Sequence, residues 1–174
     1  MRVLVVYESM YGNTETVARA VASTLAAHAG VEVDLTEAGA APTTVGSDTD
    51  LLVLGAPTHA FGLSRDSTRA DAGQRGGRAG YPLVSRGIGV REWLDRVRLP
   101  ETVRTATFDT KVDRPRLPGS AARSAAKRLR RAGLPRPEAV TSFYVTGQFG
   151  PLADGEADRA RDWAARLSPP EGRR

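Results

Sequence analysis

The amino-acid sequence predicts an α/β domain of three layers, with a five-stranded parallel sheet between two layers of helices. Two observations carry this expectation. Strand candidates alternate with helix candidates along the chain, the pattern of a sheet crossed over by helices on both faces. Two of the strands, Val3–Tyr7 and Leu51–Gly55, are unbroken apolar runs, as strands covered on both sides must be. The length of 174 residues fits one domain, expected over 1–167 with a frayed tail at 168–174.

The first strand, Val3–Tyr7, is followed by a helix expected over Asn13–His28. Val17, Val21 and Leu25 recur there every four residues, and Gly30 supplies the stop. Val31–Leu35 alternates apolar with acidic residues, which suits an edge strand. Leu51–Gly55 reads as a central strand. A polar helix is expected over Asp66–Ala72, and the Gly/Arg-rich Gly73–Gly80 reads as a mobile surface loop. Val90–Val97 is a short helix with Trp93 facing inward, Val103–Phe108 the fourth strand, and Val112–Pro118 a Pro-rich loop. Gly119–Ala132 reads as a helix with a basic face of Arg123, Lys127, Arg130 and Arg131. Val140–Val145 is the fifth strand, and a last helix runs to Leu167 from a cap at Asp154.

Composition narrows the chemistry. With no cysteine and two histidines, disulfides, thiol catalysis and cysteine-metal centres are excluded, and a transition-metal site is disfavoured. The N-terminus does not read as a signal peptide, and no apolar run approaches the ~18–20 residues of a membrane span, so a cytoplasmic protein without membrane contact is expected. Charge is uneven: residues 1–60 balance to −5, residues 61–150 to +10, and the remainder is neutral. The basic half points either to an acidic protein partner or to a base-composition bias, because only Lys111 and Lys127 are lysines among 25 basic residues. The basic helix lacks interleaved aromatics, so no specific nucleic-acid partner is expected.

Two loops carry candidate chemistry. Ser9, Met10, Tyr11, Gly12, Asn13 and Thr14 lead from the first strand into the first helix. A loop of small hydroxyl and amide residues turning at a glycine into a helix N-terminus can wrap a phosphate with unpaired backbone N–H groups. It is neither a Walker loop nor Gly-x-Gly-x-x-Gly. Capping alone also explains such residues, so the loop by itself leaves both readings open. After the third strand come Pro57, Thr58, His59, Ala60, Phe61 and Gly62.

The first of these loops resembles the phosphate loop of flavodoxins, and Ser9-Met10-Tyr11-Gly12 is similar to its version in flavodoxin-like quinone reductases. The second is similar to the Pro-Thr-x-Phe-Gly loop of those reductases, with one extra residue between Thr58 and Phe61. The resemblance implies a flavodoxin-like three-layer sandwich of strand order 2-1-3-4-5, with FMN as cofactor. It implies electron transfer, as a carrier or as an NAD(P)H:quinone-type reductase in which the flavin does the redox chemistry. The partner would be a redox protein or a small molecule of the NAD(P)H or quinone type. Pro57, Thr58, His59, Phe61 and Gly62 would face the ring, and Asp109 and Thr110, in the segment after the fourth strand, would meet its edge. That segment lacks the aromatic residue often found there, leaving stacking to His59, Phe61 or the distant Tyr81. For the same reason a flavodoxin-fold binding module with lost or weakened FMN binding stays open as an alternative. A phosphoacceptor receiver would share the strand order, but Gly55-Ala56-Pro57 stands where its acceptor Asp belongs.

Overall fold

The computed structural model describes residues 1–113 and 118–167. The chain runs β1 (Arg2–Tyr7), α1 (Asn13–Ala26), β2 (Glu32–Glu37), β3 (Leu51–Pro57), α2 (Asp66–Ala79), α3 (Val90–Leu94), β4 (Arg104–Val112), α4 (Ala121–Arg131), β5 (Ala139–Val145) and α5 (Glu156–Ala165). The five strands form one parallel sheet in the order β2-β1-β3-β4-β5. Between β1 and β3 the order reverses, and there the loops at the carboxyl ends of neighbouring strands part to leave a crevice.

Alternation along β1 divides the core. Val3, Val5 and Tyr7 face α1 and α5, packing with Val17, Val21, Leu25, Phe108 and Trp163. Leu4 and Val6 face the opposite layer, with Leu54, Trp93, Ala125 and Leu129. Trp93 and Trp163 thus anchor opposite layers, and Phe108 is a core residue edge-on to Phe143 and Trp163. The outer margin of β5 is filled by the chain's own groups. Tyr144 N–H donates to Glu156 at 2.6 Å, Arg159 donates to the Ser142 carbonyl at 2.5 Å, and the Tyr144 carbonyl accepts from Ala153 N–H at 2.9 Å.

Several boundaries differ from the sequence expectation. Gly73–Gly80 is not a loop: α2 continues unbroken to Ala79 and ends at Gly80, whose φ of 79° is the left-handed stop. Packing overrides glycine's poor helix propensity here. Arg69, Ala72 and Gly76 form one buried stripe, and a Cβ on Gly76 would fall 2.7 Å from the Tyr11 ring. β4 runs four residues past Phe108, since Thr110 and Val112 suit a strand and pair with Phe143 and Val145. α1 ends at Ala26 rather than His28, and α3 at Leu94 rather than Val97. Asp154 does not cap α5; Gly155, at φ 78°, occupies that position. Most of the expected Pro-rich loop (114–117) and the expected tail 168–174 lie outside the described residues.

Candidate functional site

At the switch point, the chain turns from β1 into α1 through Gly12, which sits at φ 91°. That left-handed conformation aims successive N–H groups into one concavity. The amides of Met10, Tyr11, Asn13 and Thr14 have no hydrogen-bond partner among the described residues. They surround the N-terminus of a 14-residue helix, whose partial positive charge adds to theirs. The side chains are engaged internally instead. Ser9 Oγ accepts from Gly12 N–H at 3.1 Å and Glu15 N–H at 3.3 Å. Asn13 Nδ2 donates to the Phe149 carbonyl at 3.1 Å, and the Thr14 and Thr110 hydroxyls share a 2.7 Å hydrogen bond. The loop offers main-chain donors and uses its side chains to hold them in place.

These amides open into a cleft of about 580 Å³. Its walls include Ser9, Met10, Tyr11, Asn13 and Thr14 on the α1 side, Pro57, Thr58, His59 and Ala60 after β3, and Thr110, Lys111 and Val112 at the end of β4. The third wall is α2, through Thr68, Asp71, Ala72 and Arg75. A cleft with an anion cradle, a wall of apolar and hydroxyl groups and a few convergent polar atoms suits a phosphorylated planar ligand.

Not every expected residue lines it. Gly12 shapes the loop from behind, and Gly62 and Phe61 lie at the rim. Residues 59–62 form a tight turn closed by two hydrogen bonds, His59 N–H to Gly62 O at 2.8 Å and Gly62 N–H to His59 O at 2.9 Å. Its central residues, Ala60 and Phe61, hold φ of 40° and 74°, and the Phe61 side chain is 62% exposed. Asp109 points away from the cleft. Its Oδ2 accepts from Ser120 Oγ and from Ala122 N–H at 3.0 Å, so it anchors the start of α4 to the sheet, while its buried Oδ1 has no partner among the described residues. Thr110 and Asp109 therefore part company because β4 is still a strand at both residues and sends successive side chains to opposite faces.

His59 lies partly buried in the cleft wall. Burial, reinforced by the nearby Arg69 guanidinium, holds its pKa below the ordinary histidine value, with Asp71 opposing. Lys111 forms no ion pair among the described residues, whereas Arg75 is paired with Asp71 at 2.7 Å.

Two groups escape sequence reasoning. Phe149, in the turn after β5, stacks on Tyr81 and meets the Tyr11 ring edge-on at 4.9 Å. Its position at the carboxyl end of a strand was the one available signal. Glu8, fully buried, accepts hydrogen bonds from Ser64 Oγ and from Val90 N–H at 2.9 Å. Arg69 donates to the same Ser64 hydroxyl at 2.8 Å and pairs with Glu92 at 3.1 Å, so this network ties β1 to α2 and α3 beneath the cleft. Burial pushes the Glu8 carboxyl above its ordinary pKa, against the pull of Ser64, Val90 and Arg69.

The flavodoxin family profile matches residues 5–85, which span the amide cradle, the turn at 59–62 and all of α2. The fold is flavodoxin-like. Solved structures extend the fold likeness over nearly its whole length. Flavodoxin 1 from Bacillus cereus is 18% identical with a TM-score of 0.65, covering 96% of this chain and 97% of its own. A flavodoxin from the domain Archaea is 14% identical with a TM-score of 0.63, covering 97% and 96%. Rubredoxin oxygen:oxidoreductase from Desulfovibrio gigas is 19% identical with a TM-score of 0.56, the match covering 95% of this flavodoxin-like chain and 35% of that larger one. No curated protein matches it by sequence.

Proposed function

We propose that the cleft binds FMN and that the chain transfers electrons through it. The observation that carries this reading is the set of four amides around Gly12 without a partner among the described residues, opening into a cleft large enough for a ring system. The cradle fits a phosphate monoester without any lysine, because main-chain N–H groups and a helix terminus supply the counter-charge. Met10, Tyr11, Asn13 and Thr14 would hold the phosphate, with Ser9 and Gly12 fixing the loop. Pro57, Thr58 and His59 would meet the ring from the β3 side, with Phe61 and Gly62 at its rim and Thr110 opposite. Asp109 would act through α4 rather than by contact.

When bound, FMN supplies redox chemistry that no side chain here can perform. The protein's part is to bind, orient and set the local field. His59, neutral at pH 7, adds no charge to the wall, and the Asp71–Arg75 pair cancels its own. Lys111, its ammonium over the Tyr144 ring at 5.8 Å and without an ion pair among the described residues, adds positive charge at the end of β4, which favours an anionic reduced ring over the neutral oxidised one.

Titration of the apoprotein into FMN and, separately, riboflavin tests the reading through quenching of flavin fluorescence. FMN should bind at least about tenfold more tightly than riboflavin, since riboflavin lacks the group the amides receive. Equal affinities would refute the cradle, and no quenching by either would refute the cofactor. Mixing the holoprotein with NADPH under anaerobic conditions then separates a reductase, which bleaches within a turnover, from a carrier, which waits for a protein donor.

A further inference from the structure

The rim of the cleft holds an aromatic ring in a conformation that its own packing does not justify. Positive φ at a bulky residue costs on the order of 1–3 kcal/mol, yet Phe61 keeps φ 74° with 62% of its surface exposed. Its backbone is fixed from below: the Phe61 carbonyl accepts from Ser120 N–H at 3.3 Å, and Gly119 lets the α4 start approach the turn directly. Strain maintained at an exposed ring, with no core contact in return, places the use of that ring outside the core.

Cations surround it. Arg65 opens α2 three residues beyond the turn, and Arg91 donates to the carbonyls of Leu63 at 2.6 Å and Ser64 at 2.7 Å. Burial and the charges of Arg128 and Arg65 depress the Arg91 guanidinium, so these groups share one patch. On the other side, Arg123 and Lys127 stand exposed one turn apart on α4, whose Ser124 lies against Gly62. Arg65, Arg91, Arg123 and Lys127 make no ion pair with a carboxylate among the described residues, while Arg128 is taken by Asp95. Lys111, at the end of β4, holds its ammonium over the Tyr144 ring at 5.8 Å.

We infer that this rim is the docking face for an acidic electron-transfer protein, whose carboxylates meet the unpaired cations while an apolar contact closes on Phe61. The inference rests on the proposed FMN reading, and names the partner of that same site. A patch of unpaired positive charge beside a binding cleft steers an acidic partner and fixes its orientation, and the exposed Phe61 ring gives the encounter a desolvated centre. A nucleic acid is the weaker match, because α4 carries no aromatic among its cations.

The test uses an acidic [2Fe–2S] ferredoxin as probe, titrated calorimetrically into the FMN-saturated chain at low and moderate salt. Binding should weaken about tenfold as salt rises through the range in which exposed charges are screened. It should weaken by a similar factor in the R123E/K127E double variant, with FMN affinity unchanged. Unchanged ferredoxin affinity in the double variant overturns the inference. So does tighter binding of a basic cytochrome, or loss in the variant of binding to duplex RNA by a chain that never bound ferredoxin. Charge-sensitive ferredoxin binding by a chain that fails to quench FMN would refute the cofactor and leave the docking face standing.

Discussion

Tyr81 lies flat on Phe149, their ring centroids 4.7 Å apart and their planes 4° from parallel. The pair joins the end of α2 to the turn after β5, segments with no sequence proximity, and Tyr11 fits edgewise against both. Tyr11 also donates its hydroxyl to the Ala72 carbonyl at 2.8 Å, so the amide-bearing loop and the third wall of the cleft are held by one aromatic cluster.

Phe149→Ala should therefore loosen α2 before it unfolds the core. Stacked pairs are worth about 0.5–1.5 kcal/mol beyond their burial, and α2 has three internal glycines and few apolar contacts to fall back on. Hydrogen exchange should accelerate over residues 70–80 while the amides of β1 and β3 stay protected. Uniform acceleration, or none, would show that the cluster does not govern this wall.

Gly12→Val should abolish FMN binding and leave the sheet folded. A β-branched residue at φ 91° costs on the order of 1–3 kcal/mol locally, and relief of that strain rotates the neighbouring amides out of the cradle. Far-ultraviolet circular dichroism should be preserved, and unaltered FMN affinity would refute the assignment of the loop.

Lys111→Gln should make the two-electron potential of bound FMN more negative. Near a protein surface a unit charge at about 8–10 Å contributes on the order of 1–2 kcal/mol; a Lys111 charge at that range would make the ratio of affinities for reduced and oxidised FMN fall about tenfold on substitution. The wild-type couple is expected to be less negative than that of acidic carriers. A potential that does not move on substitution would remove Lys111 from that role.

Stability should decline as pH falls through the histidine range. The folded-state pKa of His59 lies below its unfolded value of about 6.5, so the unfolded chain takes up the proton first. The neutral histidine's contribution is complete above 6.5 and is lost as pH drops toward the folded pKa. Urea midpoints at pH 8 and 5.5 should differ less in His59→Gln than in the wild type. An equal difference in both would place the titration elsewhere.

Glu8→Ala should cost about 1–3 kcal/mol, because it strands the Val90 N–H and the Ser64 hydroxyl proton in a buried site. Glu8→Gln keeps an acceptor and a comparable shape and should cost appreciably less. Equal urea midpoints for the two variants would show that volume, not hydrogen bonding, fixes this site.

Much of this was readable before folding. Val3–Tyr7 and Leu51–Gly55 announce buried strands by continuous apolarity, and the four-residue spacing of Val17, Val21 and Leu25 sets the face of α1. The amide cradle was legible because Gly12 stands where a strand meets a helix. What was not legible depends on contacts distant in sequence. The helical state of Gly73–Ala79 needs Tyr11 lying against Gly76, and Phe149 reaches the amide-bearing loop because the Asn13 amide holds its carbonyl from 136 residues away. Ending β4 at Phe108 puts Asp109 against the ring; four further strand pairs with β5 keep it in the strand and turn it toward α4. Glu8 and Arg69 carry charges that sequence reasoning assigns to the surface.

The occupied margin of β5 also bears on how copies of this chain meet. A strand at the side of a sheet templates the addition of another strand, and chains that leave it open are prone to fibrillar stacking. Here the Ser142 carbonyl and both polar groups of Tyr144 are spoken for by Arg159, Glu156 and Ala153. An incoming backbone finds no vacant ladder along that stretch, so self-association through this side must first detach α5.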